Sequence, residues 1–176
     1  LRNAPLWESS FFLLSTNTRF ENRMKRIALF PGSFDPFTIG HESIVRRSLG
    51  LFDEIIVAVG MNSTKANLFS LEKRVDWIRN VFADTPQVKV GSYEGLTVEY
   101  CKQQEARYIL RGLRTSADFG FERGIAQVNK ALVPEIETVF IMALPEHSAI
   151  SSTIIRDIIR NGGNAQAFVP KAVQYT

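Results

Sequence analysis

The run Arg26-Ile27-Ala28-Leu29-Phe30-Pro31-Gly32-Ser33-Phe34-Asp35-Pro36-Phe37-Thr38-Ile39-Gly40-His41 constrains what this chain can fold into more than any other stretch. Four consecutive apolar residues ahead of Pro31-Gly32 suit a buried strand, and past Gly40 the apolar positions Ile44, Val45, Leu49 and Phe52 return at helical spacing. A strand that feeds a helix through a glycine-bearing turn brings the carboxyl end of the strand next to a helix N-terminus. An open α/β sheet places its ligand there, where free N–H groups attract phosphate. Gly32 lets a backbone approach phosphate closely, Ser33 adds a hydroxyl, and His41 enters from the first turn of the helix. Taken alone, the same residues also suit a plain Gly-Ser turn with a solvated histidine behind it.

From Met24 onward β-like and helical runs alternate, the pattern of a mostly parallel sheet with crossover helices. Strands are expected at 25–30, 54–60, 87–90, 107–110 and 136–142, and helices at 40–51, 71–83, 95–105, 118–132 and 151–161. Ser70 ahead of Glu72-Lys73 reads as a helix start, and Gly50 and Gly162-Gly163 read as helix ends. A chain of 176 residues is long enough for one domain with a real core. Residues 1–23 mix Asn, Ser and Thr with an unpatterned Trp7 and Phe11-Phe12-Leu13-Leu14. They are expected to be an upstream extension, poorly ordered or packed incidentally through Trp7 and Phe11, with the domain proper over 24–176. Their apolar stretch of four is shorter than the roughly 7–15 residues of a signal-peptide core.

With 45% hydrophobic and 22% charged residues, and no apolar run of the roughly 18 residues a membrane span needs, no membrane is expected. The net charge of +3 is too small to argue for nucleic acid, yet suits a site that gathers anions. Cys101 is the one cysteine, which excludes an intrachain disulfide and points to a reducing, cytoplasmic setting.

Further polar residues fall at the carboxyl ends of the other expected strands. Lys65 lies in the loop after the second, where its ammonium can reach a phosphate. After the third comes Tyr93-Glu94-Gly95-Leu96-Thr97, by spacing a plain turn. The fourth runs out into Arg111-Gly112-Leu113-Arg114, two guanidinium groups around a glycine that read as a phosphate fork. Glu122 follows on the next helix, where an exposed face accounts for it equally well. Beyond the fifth strand, His147-Ser148-Ala149-Ile150-Ser151-Ser152-Thr153 puts a row of hydroxyls at a helix start, more than one cap requires.

Gly32-Ser33-Phe34-Asp35-Pro36-Phe37-Thr38-Ile39-Gly40-His41 resembles the G-[ST]-F-D-P-x-[TH]-x-G-H signature of the nucleotidylyltransferase superfamily. Residues 24 to about 173 resemble one branch throughout, the phosphopantetheine adenylyltransferases of bacterial coenzyme A biosynthesis. The resemblance implies a Rossmann-like, doubly wound sheet of about five mostly parallel strands with helices on both faces. It implies transfer of AMP from ATP to 4′-phosphopantetheine, with Mg²⁺ held by phosphates and water, in a homohexamer. His41 would stabilise the transition state, with Lys65 and Arg111 on the incoming phosphate and Ser33 and Thr97 along the acceptor. Ser33, Phe34, His41, Gly112, Leu113, Arg114, Glu122 and residues 147–153 would hold ATP. Thr97, His147 and Ala149 depart from the family's usual Leu/Met/Val and aromatic residues. A sister transferase with another acceptor or a cytidylyl donor, and a nucleotide sensor without catalysis, remain as alternatives.

Overall fold

The computed structural model of the chain describes residues 24–61 and 66–175, so the extension expected over 1–23 and the loop lysine Lys65 lie outside the described residues. Five parallel strands, β1 (Ile27–Gly32), β2 (Glu54–Met61), β3 (Val88–Glu94), β4 (Tyr108–Leu113) and β5 (Glu137–Met142), form one sheet in the order β3-β2-β1-β4-β5. Helices α1 (Ile39–Ser48), α2 (Leu71–Val81), α3 (Thr97–Gln103) and α4 (Ser116–Leu132) make the crossovers, and α5 (Ser152–Arg160) follows β5. Alternation along β1 separates two cores. Ala28 and Phe30 join Val45, Val57, Ile78 and Ile155 on one face, while Ile27 and Leu29 join Ile56, Val98, Cys101 and Ile109 on the other.

The chain winds outward from β1 through β2 to β3, then returns to lay β4 on the opposite side of β1. The two directions part between β1 and β4, the switch point at which such sheets open a crevice. The registers show the opening. β1 matches β2 along its whole length, from Ile27↔Glu54 to Gly32↔Val59, whereas β1 and β4 are in register only at Ala28↔Tyr108 and Leu29↔Ile109. Past that point Arg111 crosses the gap and donates from Nη1 to the Pro31 carbonyl at 2.6 Å.

Element types follow the pattern in the sequence, but several boundaries move. Pro31-Gly32 belongs to β1, because β2 supplies partners as far as Val59. β3 runs on to Glu94 for the same reason. Arg111-Gly112-Leu113, expected to leave the sheet, is strand, paired with Phe140, Ile141 and Met142 of β5. Helix α3 starts at Thr97, after Gly95 turns the chain through φ +87°.

Candidate active site

Two cavities open at the carboxyl edge of the sheet and meet at Arg111. The first, of about 310 Å³, lies over the β1–α1 turn and runs to the N-terminus of α5; the second, of about 340 Å³, runs toward β3, α3 and the flank of α4. Pro31, Gly32, Ser33, Arg111 and Glu122 line both.

Thr38 caps α1. Its hydroxyl accepts the His41 N–H at 3.2 Å, and His41 Nδ1 in turn accepts the Thr38 N–H at 3.1 Å. A backbone N–H can only donate, so Nδ1 carries a lone pair and the proton of the neutral ring sits on Nε2. The ring stands among Phe30, Phe34 and Phe37, whose centroids are 6.2, 5.1 and 5.4 Å away. Burial, reinforced by the charges of Arg114 and Arg111, pushes its pKa down to about 3. At neutral pH His41 is therefore an uncharged N–H donor at the wall of the first cavity. Phe34 reaches this position through φ +45°, its ring lying where a side chain at 32 would be: a Cβ there would come within 2.7 Å of it.

Both arginines of the fork reach the site, each held by a carboxylate of α4. Arg111 grips Glu122 through Nε and Nη2, and Arg114 grips Asp118 through Nε at 3.1 Å and Nη2 at 3.2 Å. Asp118 is oriented in turn by the Thr115 capping box, and its carboxyl titrates below the ordinary range because of its bonds to Arg114. Arg111 spends three of its five N–H groups on Glu122 and Pro31, leaving two for a ligand. The carboxylates aim the fork before any phosphate arrives.

The hydroxyl row lines the first cavity and is partly engaged within the protein. Ser151 Oγ caps α5 by accepting the Ile154 N–H, Ser152 Oγ donates to the Pro36 carbonyl at 2.9 Å, and Thr153 Oγ1 accepts from Arg156. Only Ser152 spends its O–H proton; Ser151 and Thr153 accept and keep an O–H to donate, so the helix end presents these two hydroxyls together with its backbone N–H groups to an anion. His147, Ile150 and Gly112 line the same cavity. Three expected residues do not line either cavity: Leu113 is buried within β4, Ser148 donates to Pro145 O in a 3-10 turn, and Ala149 is exposed. Thr97 lines the second cavity, its Oγ1 2.8 Å from the Tyr93 hydroxyl.

The sequence reading passed over Thr38 and Tyr93. Thr38 was detectable, since it stands three residues before His41 at the spacing of a capping box. Tyr93 carries no such signal, because its role depends on α3 turning back across β3.

A parallel α/β sheet with a neutral histidine and two aimed arginines at its switch point defines a nucleotidyltransferase-type site. The family model described as cytidylyltransferase-like matches residues 29–158. A phosphopantetheine adenylyltransferase of Flavobacterium psychrophilum is 54% identical over 149 residues, covering 85% of this chain and 98% of that protein. One from Leptospira biflexa is 52% identical over 150 residues, covering 85% and 94%. Among solved structures, a bifunctional NMN adenylyltransferase/ADP ribose pyrophosphatase from Francisella tularensis superposes with a TM-score of 0.61 at 18% identity. That likeness covers 83% of this chain and 45% of the other, and speaks for the fold alone. The chain belongs to the phosphopantetheine adenylyltransferases, nucleotidyltransferases within the cytidylyltransferase-like family.

Proposed function

We propose that the first cavity binds ATP and the second 4′-phosphopantetheine, and that the acceptor's terminal phosphate attacks the α-phosphorus to give dephospho-coenzyme A and pyrophosphate. The observation that carries this assignment is the wall common to both cavities: Ser33, Arg111 and Glu122 stand where two phosphate-bearing ligands would meet. The nucleophile arrives with the substrate, so the protein's task is to align and to stabilise charge. Arg111, joined by Lys65 as the family resemblance implies, would hold the incoming phosphate. Arg114 and the N-terminus of α5 would hold the nucleotide phosphates, and His41 Nε2–H would donate to the transferred phosphoryl as its charge builds. An uncharged donor suits this step, because it needs no proton taken from solution at neutral pH.

Magnesium fits as the companion of ATP. Among the described residues no three His, Cys, Asp or Glu converge as a metal site, and Asp118 and Glu122 are engaged by arginines. Phosphate oxygens and water would be its ligands, and it would offset triphosphate charge. The same reading places the enzyme in the cytoplasm, as suits a chain whose one cysteine is a buried thiol.

It also makes the enzyme a homo-oligomer, a hexamer by family resemblance. In support, α4 buries none of its residues and shows Phe121, Val128 and Leu132 to solvent beside Met142 of the edge strand β5. The test of the activity is pyrophosphate release from ATP with 4′-phosphopantetheine. Release only with nicotinate mononucleotide, or only from CTP, would replace the assignment with a sister reaction, and nucleotide binding without release would make the chain a sensor.

A further inference from the structure

Arg74 lies in α2, outside both cavities, and is 2% exposed. A buried guanidinium is costly unless its N–H groups are satisfied. Among the described residues its hydrogen bonds all go to carbonyls: Nη1 donates to Ser33 O at 2.6 Å, and Nε to Phe69 O and Ser70 O at 3.1 and 3.3 Å. The bonds to 69 and 70 close the start of α2. The bond to Ser33 reaches across to the β1–α1 turn. A second buried charge ties the same segments from the other direction, because the Asp35 carboxylate accepts the N–H groups of Leu68 and Phe69 at 2.8 and 3.0 Å.

The Ser33–Phe34 peptide is trans, so its N–H points opposite to its C=O. With the carbonyl held on Arg74, the Phe34 N–H faces the other side of the turn, and no acceptor for it occurs among the described residues. Ser33 and Phe34 both line the first cavity. Phe34 sits at φ +45°, a region costly to a non-glycine residue, so it stays there only while its surroundings hold it. Its ring packs 5.1 Å from that of His41.

We propose that Arg74 is a positioning residue for adenylyl transfer: by holding the Ser33 carbonyl it turns the Phe34 N–H to the phosphate chain and keeps the Phe34 ring against His41. The inference rests on the adenylyl-transfer reading above. Arg74 touches no substrate; it acts through one peptide group. Lysine at 74 keeps the charge but lacks the planar fork that reaches Ser33 and Phe69 together.

The test is a two-by-two comparison of kcat per folded molecule, with ATP and 4′-phosphopantetheine as substrates. One change is Arg74→Lys. The other replaces Phe34 by its α-hydroxy analogue, which exchanges the N–H for an ester oxygen and leaves the side chain intact. Each is expected to lower kcat about tenfold to a hundredfold while shifting ATP binding less, and the two together should cost little more than the worse one alone. Losses that multiply, or an Arg74→Lys enzyme within about threefold of wild type, would make Arg74 scaffold only. Should Arg74→Lys not fold, the ester alone decides: a kcat within about threefold of wild type removes the Phe34 N–H and the proposal with it. A wild-type enzyme that releases no pyrophosphate overturns the activity reading instead, so the two failures are distinct.

Discussion

Acidification should destabilise this protein through His41, and the structure sets the size of the effect. In the unfolded chain the imidazole has its ordinary pKa of 6.5, whereas in the folded chain burial among Phe30, Phe34 and Phe37, with Arg114 and Arg111 near, holds it at about 3. Between those values the unfolded state binds a proton that the folded state refuses. Stability is therefore highest above pH 6.5 and falls as pH drops toward 3. At pH 5 the loss attributable to this one group is about 2 kcal/mol relative to pH 8. The assay is urea unfolding of wild type and His41→Gln at both pH values. Glutamine does not titrate in this range, so the wild type should lose about 2 kcal/mol more than the variant on going to pH 5. Equal losses would refute the argument, as would a His41 Cε1 resonance that titrates near pH 6.5 in the native protein. The same protonation state has a catalytic consequence. His41→Ala should lower kcat about a hundredfold or more with a smaller loss of ATP binding. His41→Gln, whose amide reaches as far as Nε2, should retain more activity than His41→Asn, which reaches only as far as Nδ1.

Arg111→Ala should weaken use of 4′-phosphopantetheine more than use of ATP, by about 1.5–3 kcal/mol in kcat/KM, with equal losses for both substrates refuting the assignment. It should also lower Tm by stranding Glu122, and adding Glu122→Gln should restore Tm without restoring turnover. Gly32→Ala should displace the Phe34 ring from His41, costing about 1–3 kcal/mol of stability together with a fall in kcat; a normal kcat would show that the ring's position is immaterial. Phe121→Asp combined with Val128→Asp should yield smaller particles on size-exclusion chromatography with the far-UV spectrum unchanged, and an unaltered elution volume would clear the α4 face of any part in assembly.

Helix and strand were legible in the chain because each follows from local periodicity. The runs around Ile27–Gly32 and Glu54–Met61 are apolar on both sides, as strands covered by two helical layers must be, and α2 starts where Ser70 can cap it. Boundaries were less legible, since a strand ends where its neighbour stops pairing. Arg111-Gly112-Leu113 looks like a loop by composition and is strand because β5 lies alongside.

The sequence by itself determined which chemistry gathers at the carboxyl edge of the sheet: a glycine-bearing turn, one histidine in the first turn of the helix that follows, and a pair of arginines after another strand. Spacing of that kind survives translation into structure, because strands and helices carry residues to known faces. It could not say how the groups are charged or what holds them. That His41 is neutral with its proton on Nε2 comes from the Thr38 N–H and three phenylalanine rings. That Ser152 alone of the hydroxyls at 151–153 spends its proton within the fold, that two carboxylates of α4 aim the fork, and that Arg74 grips the turn from behind were likewise decided in three dimensions. Hydrogen bonds and desolvation act over a few ångströms between residues 41 or 116 positions apart, and only the folded chain brings such partners together.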